Sequence, residues 1–412
     1  MVSSSPPGTN DPDKTAQHLD ERDRRLLAGL DEEETLALLC DLVARPSENP
    51  PGNELSCART LNSWLEGHGV ACELVEVAPG RPNLYATLGG SKTDRFSPQN
   101  LVLCGHLDTV PAGEGWTHDP FKATLLDGLA YGRGTCDMKA GLAAMAAAMV
   151  AVARSGVTLR GTLALHGVID EEVGSAGAQE AASRRPGDFV IVGEPSGGRV
   201  FTIGNGQANF EITFHGKAVH SSHPEDGRNA ICDAAAFIRY IEEETGRLSL
   251  VSMAGIGPAT YSVGLIEGGR GGSTVADRCQ LILDRRLLPT ETLEDVEEQL
   301  GALLGLLGTE RPGLSWELSR TVAFPPLRGR GTEDIKGVLE RTIADLGGTT
   351  DGEDQGMRFA TDAAWYEAAG CPAVVFGPGD VTVAHQPDEH VAVSELHAAA
   401  RTLAVACGRL LA

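Results

Sequence analysis

The sequence predicts an α/β fold: a mixed, mostly parallel sheet with helices on both faces, interrupted by an inserted α+β domain. Three observations predict it. Apolar runs at residues 101–104 and 189–192 read as buried strands rather than half-exposed ones. They alternate with helical stretches, above all the almost wholly apolar residues 138–154. After Gly206 the pattern changes, with Phe210, Ile212 and Phe214 alternating with polar residues, and α/β character resumes near Pro325.

Each element follows in order. Residues 1–21 are rich in Ser, Pro, Thr and Asp and hold no apolar core segment, so they read as a disordered tail and not a signal peptide. Order is expected from residue 22. A helix over 32–43 gathers Leu36, Leu38, Leu39 and Leu42 into a rough apolar face and stops at Arg45-Pro46. Residues 47–54 are turn chemistry. A second helix is expected over 54–68, then strands near 72–77 and 84–88 and a polar loop over 90–100. The helix over 138–154 closes on Gly156 as a left-handed cap. Strands over 161–169 and 189–192 end in Asp170-Glu171-Glu172 and Gly193-Glu194-Pro195-Ser196.

The insert reads as a strand at 210–214, a helix at 228–244, strands at 260–266 and 279–287, a helix at 293–307 and a strand at 315–321. That βαββαβ order is the one found in a small ferredoxin-like sandwich. The expected boundaries are a first domain in two parts, 22–206 and 323–412, around an insert at 207–322. A strand at 372–376 and a closing helix at 394–410 complete the chain.

Bulk properties narrow the function. At 412 residues and 42% hydrophobic content the chain has room for two domains with substantial cores. A net charge of −23 argues against nucleic acid or an anionic membrane as partner. Nine scattered cysteines with no C-x-x-C pair fit reduced thiols in the cytoplasm better than a disulfide framework. No run of about eighteen apolar residues is seen, so no membrane span is expected.

Chemistry collects at the predicted strand ends. His106 closes the strand near 101–104, and Asp108, two residues on, is placed to hold its other ring nitrogen. Asp137 stands at the mouth of the apolar helix, and Glu172, Glu194 and His385 lie in later strand-end loops. One imidazole and one carboxylate for each of two ions, with one carboxylate shared, is the composition a two-metal hydrolase needs. Asp137 is the natural shared ligand. Neighbouring Glu171 and Glu172 point different ways, so one can bind metal while the other serves as general base. Cys104 and Cys136 flank ligands but suit buried packing. Gly132-Arg-Gly134 lacks the Lys-Ser/Thr of a phosphate loop.

Taken in order, His106-Leu-Asp-Thr-Val-Pro111, Gly132-Arg-Gly-Thr-Cys-Asp-Met-Lys139, Asp170-Glu-Glu172, Val192-Gly-Glu-Pro-Ser196 and the stretch from Gly377 to Glu389 carry a resemblance. Together they resemble the di-zinc amidohydrolase family of acetylornithine deacetylase, succinyl-diaminopimelate desuccinylase and glutamate carboxypeptidase, whose fold is zinc-exopeptidase-like. The resemblance implies that His106, Asp137 and Glu194 hold one zinc ion, and Asp137, Glu172 and His385 the other. It makes Glu171 the general base and Asp108 the residue that orients His106, and implies a cis bond between Asp137 and Met138. Cobalt or manganese can substitute for zinc.

Residues 216–230 resemble the family's lid and dimerisation segment, in which His220 would stabilise the oxyanion in a partner subunit's site. Asp284-Arg-Arg-Leu-Leu-Pro289 resembles a strand whose arginine grips the substrate carboxylate, by register Arg286. Departures exist. Ser273 replaces an asparagine that shapes the substrate pocket in relatives, and Ala276 replaces a proline. Thr361 falls where relatives have a substrate-contacting loop.

The expected protein is a cytoplasmic homodimer that deacylates a small N-acyl amino acid. The alternatives are a dipeptidase or carboxypeptidase with the same metal centre, and a deacylase of a specialised biosynthetic metabolite. A metal-binding scaffold without activity would be expected to lack Glu171 or a ligand, and none is missing.

Overall fold

A computed structural model describes residues 18–89, 100–184, 186–350 and 356–412. The tail expected over 1–21 and the loop expected over 90–100 lie largely outside the described residues. The described residues divide into two compact units, the first lying within 1–200, 330–353 and 369–412 and the second within 201–329 and 354–368.

The first unit is built on a six-stranded sheet in the order Ala71–Ala78, Arg81–Gly89, Thr162–Val168, Asn100–His106, Phe189–Val192, Ala373–Val375. The first two strands pair antiparallel with their neighbours, and the remaining four run parallel to one another. This is the mixed sheet that the sequence predicts. Leu101 through His106 are all buried, because parallel strands lie under helices. Ala140–Ser155 and Val393–Leu411 pack on these strands and on each other. Parallel strands share one carboxyl edge, so the loops that leave them converge there.

The apolar helix starts at Ala140 rather than at Met138. Asp137 (φ −118°, ψ 97°) and Met138 (φ −129°, ψ 32°) are not helical, and the peptide bond between them is cis. Gly156 closes the helix at φ 66°. Among the described residues, the helical segment Thr135–Ser155 has the length and mean hydropathy of a membrane span, though Asp137, Lys139 and Arg154 interrupt it and no unbroken run of eighteen apolar residues is present. Its most apolar window is 89% buried in the protein, however, so its side chains are already covered as a core helix. A Cβ on Gly141 would stand 2.0 Å from the carbonyl oxygen of Gly193, so this helix lies directly against the segment that delivers Glu194.

Some features of this unit escape the sequence reading, the helix Ala176–Arg184 and two others among them. One is the helix Glu333–Asp345. The other is a three-stranded sheet of Thr124–Leu126, Leu129–Tyr131 and His390–Ala392. Strands of three residues are too short to show a period of two.

The second unit holds a four-stranded antiparallel sheet in the order Thr260–Gly268, Arg278–Leu287, Gly206–His215, Ser315–Phe324. Helices Ala230–Leu248 and Leu293–Glu310 pack on it, and Phe210, Ile212, Phe214, Leu281 and Leu283 turn inward to meet them. The unit runs from 201 to 329 rather than from 207 to 322. Ile203–Gly204 pairs with Leu327–Arg328, and Gly204 bridges to Met357, which draws residues 356–368 into the same unit.

Candidate metal centre

The carboxyl edge of the six-stranded sheet gathers the five proposed ligands. His106 is the last residue of its strand and fully buried. Its Nδ1 donates to the backbone carbonyl of Asp108 at 2.9 Å, which leaves the Nε2 lone pair facing the site. The ring is thus held by Asp108, but through the carbonyl; the carboxylate stands 3.6 Å away. That carboxylate instead accepts from the backbone N–H of Glu171 at 3.1 Å and of Glu172 at 3.2 Å. It therefore ties the loop after one strand to the loop after its neighbour.

Asp137 turns one oxygen to each imidazole. Oδ1 lies 3.1 Å from His106 Nε2, and Oδ2 lies 3.1 Å from His385 Nε2. Glu194 Oε2 stands 3.8 Å from His106 Nε2, and Glu172 Oε2 3.1 Å from His385 Nε2. His385 reaches in from a left-handed backbone (φ 61°), a conformation uncommon outside glycine. Donor atoms of His106, Asp137 and Glu172 all fall within 4.8 Å of one another. Donors about 2.0 Å from a common tetrahedral ion stand about 3.3 Å apart, so the spacing fits metal ligation. The donor set is nitrogen and carboxylate oxygen. Cys104 and Cys136 are buried, and Cys136 Sγ donates to the Asp380 carbonyl at 3.2 Å.

The electrostatics suit a cation. Burial opposes an imidazolium at His106, but Glu194, Asp137 and Glu171 outweigh it and hold its pKa well above the usual value. Hydrogen bonds to Asp137 and then Glu172 lift His385 to about 10. Burial would raise Asp137, yet the two imidazoles hold its pKa below the usual range. Burial pushes Asp108 up to about 7 against the pull of His106.

A pH dependence follows. A histidine raised above its unfolded pKa of about 6.5 is protonated more readily in the folded, metal-free protein than in the unfolded chain. The stability that His385 contributes is full below the unfolded value and is lost as pH rises toward about 10. A metal ion held by His385 would have to displace the same proton. Apparent metal affinity should therefore increase with pH, by up to about tenfold per pH unit for each proton released. Calorimetric titration in buffers of different ionisation enthalpy checks this. An affinity independent of pH, with no proton release, would contradict the ligand assignment.

Further residues, unassigned from sequence, brace the centre. Glu389 is buried, and its Oε1 accepts from the N–H of Cys136 at 2.8 Å and of Asp137 at 3.0 Å. Its Oε2 pairs with buried Arg133 at 2.5 Å. Asn49 donates to Asp108 Oδ2 at 2.9 Å and to Asp170 Oδ1 at 3.0 Å. The signal available for Glu389 was its place in the last motif. Asn49 gave none beyond a turn-forming composition.

The second unit holds the remaining candidates. His220 is exposed, its Nδ1 is 2.7 Å from Ser222 Oγ, and its backbone bridges to Thr274. The Ser273 carbonyl accepts from Ser221 N at 3.0 Å, so the structure brings His220 and Ser273 together. Strand alternation buries Arg285 over the Tyr261 ring and against Glu291, and turns Arg286 to the other face, 3.0 Å from Asp284. Thr361 is buried, and its Oγ1 accepts from Ala363 N at the start of the helix Ala363–Ala368, which gives it a capping role.

Residues 102–408 match peptidase family M20/M25/M40. The chain belongs to this family. It is 33% identical to an acetylornithine deacetylase from Proteus mirabilis (strain HI4320), over 86% of this chain and 91% of that one. It is 31% identical to an N-formyl-4-amino-5-aminomethyl-2-methylpyrimidine deformylase from Halalkalibacterium halodurans, over 92% and 95%. A tripeptidase from Staphylococcus aureus subsp. aureus Mu50 matches its fold with a TM-score of 0.74 at 22% identity, over 92% of this chain and 99% of that one. This family member is a metal-dependent amidohydrolase.

Proposed function

We propose that the chain is a di-zinc deacylase that cleaves the amide bond of an N-acyl amino acid with a free carboxylate, giving an acid and a free amine. The observation that carries this reading is Asp137, with one carboxylate oxygen toward each imidazole. Likeness to acetylornithine deacetylase supports the substrate class.

His106, Asp137 and Glu194 would hold one ion, and Asp137, Glu172 and His385 the other. Two bound divalent ions would polarise the amide carbonyl and acidify a water molecule. Glu171 then takes the proton of the attacking water on its carboxylate and delivers it to the leaving nitrogen. The backbone N–H of Glu171 is fixed to Asp108, which sets where that carboxylate begins. Arg286 would receive the substrate carboxylate, and His220 would hydrogen-bond the oxyanion. Ser273 would shape the acyl pocket. A homodimer joined through the second unit and a cytoplasmic location belong to the same proposal, supported by the motif of residues 216–230 and the scattered cysteines.

A second reading is deformylation of an N-formyl aminopyrimidine. It is favoured by the likeness to the deformylase and by Ser273 where an asparagine is expected.

Free-amine release on a panel distinguishes them. The panel holds N-acetylornithine, N-succinyl-diaminopimelate, neutral N-acyl amino acids, dipeptides and an N-formyl aminopyrimidine. Turnover of an acyl amino acid that chelator abolishes is the expected result. Preference for the formyl compound would move the assignment to the second reading, and preference for dipeptides would make the protein a peptidase.

A further inference from the structure

Asp170 opens the Asp-Glu-Glu triplet and carries none of the chemistry assigned so far. Its backbone is left-handed, at φ 74°, a costly conformation for a residue with a side chain. Its carbonyl accepts from Gly174 N at 2.9 Å, closing the turn Asp170–Gly174. The same turn sends the N–H groups of Glu171 and Glu172 to the two oxygens of Asp108. The direction in which the general base and a metal ligand leave the chain therefore depends on how Asp170 is held.

Two side chains from distant parts of the sequence hold it. Asp170 Oδ1 accepts from Arg81 Nη2 at 3.0 Å and from Asn49 Nδ2 at 3.0 Å. The Asn49 amide also donates to Asp108 Oδ2 at 2.9 Å, so a single NH₂ group clasps the carboxylates on both sides of the site. Arg81 is itself fixed by Glu54, whose carboxylate is fully buried. Nε lies 2.9 Å from Oε2, and Nη2 donates to Oε1. The forked guanidinium can grip Glu54 and Asp170 together, which an ammonium cannot do with the same geometry. The backbone of Asn49 is pinned in turn, its N–H to the carbonyl of Thr109 at 2.8 Å.

We propose that Arg81 and Asn49 are positioning residues for the hydrolysis: through Asp170 they set the orientation of Glu171 and Glu172. Neither touches the reacting atoms. The alternative is a structural staple between the strand Arg81–Gly89 and the loop before the helix Leu55–Gly67. The two differ in what fails when the contact is cut. A staple lowers stability, whereas a positioning clasp also loosens one metal ligand and the base. The proposal rests on the deacylase reading for its kinetic arm but not for its metal arm.

The experiment compares Asn49→Ala, Arg81→Met and Arg81→Lys with the full-length wild type, using Co²⁺ titration followed by visible absorption, and kcat and KM on the best substrate of the panel. Arg409→Met, which cuts the ion pair of Arg409 with Asp23 (2.7 Å) and Asp345 (2.8 Å) far from this turn, is the control for stability alone. In Asn49→Ala and Arg81→Met the first Co²⁺ should bind as in the wild type. The second should bind about 10- to 100-fold more weakly, with kcat reduced over a similar range and KM nearly unchanged. Arg81→Lys should fall between, and guanidinium ion should restore part of the kcat of Arg81→Met. Unchanged Co²⁺ binding and kcat in Asn49→Ala, which leaves the Arg81–Glu54 pair intact, would overturn the proposal. So would variants that lose only thermal stability, as the control does. If the wild type binds two Co²⁺ ions but turns over no panel member, the deacylase reading fails, and the Co²⁺ arm still decides the role of Asn49 and Arg81.

Discussion

Replacing Glu171 with glutamine is expected to lower kcat by about 10²- to 10⁴-fold, the range that a positioned general base supplies, while both metal ions stay bound. Glutamine keeps the size and the backbone N–H that Asp108 accepts, so the turn should survive. What would be lost is the basic oxygen proposed to take a proton from water. Glu171 is also one of the carboxylates that raise the pKa of His106, which places its charge beside the ligand cluster. The measurement is kcat and KM together with metal content by mass spectrometry. A variant within threefold of wild-type kcat would remove Glu171 from the mechanism. Loss of metal in step with loss of activity would make it a ligand and not a base.

Substitution of Asp137 should have the larger effect on metal. Its two oxygens face the two imidazoles at 3.1 Å each, so Asp137→Ala removes the donor shared by both halves of the site. Asp137→Asn keeps the shape but removes the charge and turns one oxygen acceptor into a donor. In both variants metal content after gel filtration should fall below two ions per chain, and activity should drop by at least about 10³-fold, since bound metal would supply both carbonyl polarisation and an activated water. Glu389 still holds the backbone N–H of residue 137, so the chain should keep its path there. Full metal content with activity in Asp137→Asn would exclude a shared carboxylate.

Much of the site was legible because its motifs are local. His106 and Asp108 are two residues apart at the end of an apolar run, and Glu171 and Glu172 follow another. A parallel sheet brings such strand ends to one edge, so the order of the motifs already implies their convergence. The βαββαβ order of the second unit was legible for the same reason: each element announces itself by its own period.

The contacts that hold the ligands were not legible, because they join residues far apart in sequence. Asn49, in a stretch that reads only as a turn, clasps Asp108 and Asp170. Half-buried Arg81 and buried Glu54 pair across 27 residues. Nor could spacing tell that Asp108 holds His106 by its carbonyl and leaves its carboxylate for the N–H groups of the next loop. The apolar helix shows the divide most plainly. Its composition alone fits a membrane span, and its burial under the sheet and the helix Val393–Leu411 decides otherwise. By itself, the sequence determined most of the longer strands and helices and the chemical types of the candidate ligands, since periodicity and side-chain chemistry are properties of short stretches. Only the tertiary structure decided which oxygen faces which nitrogen and which distant side chains hold them there, since a hydrogen bond depends on positions that the whole fold sets.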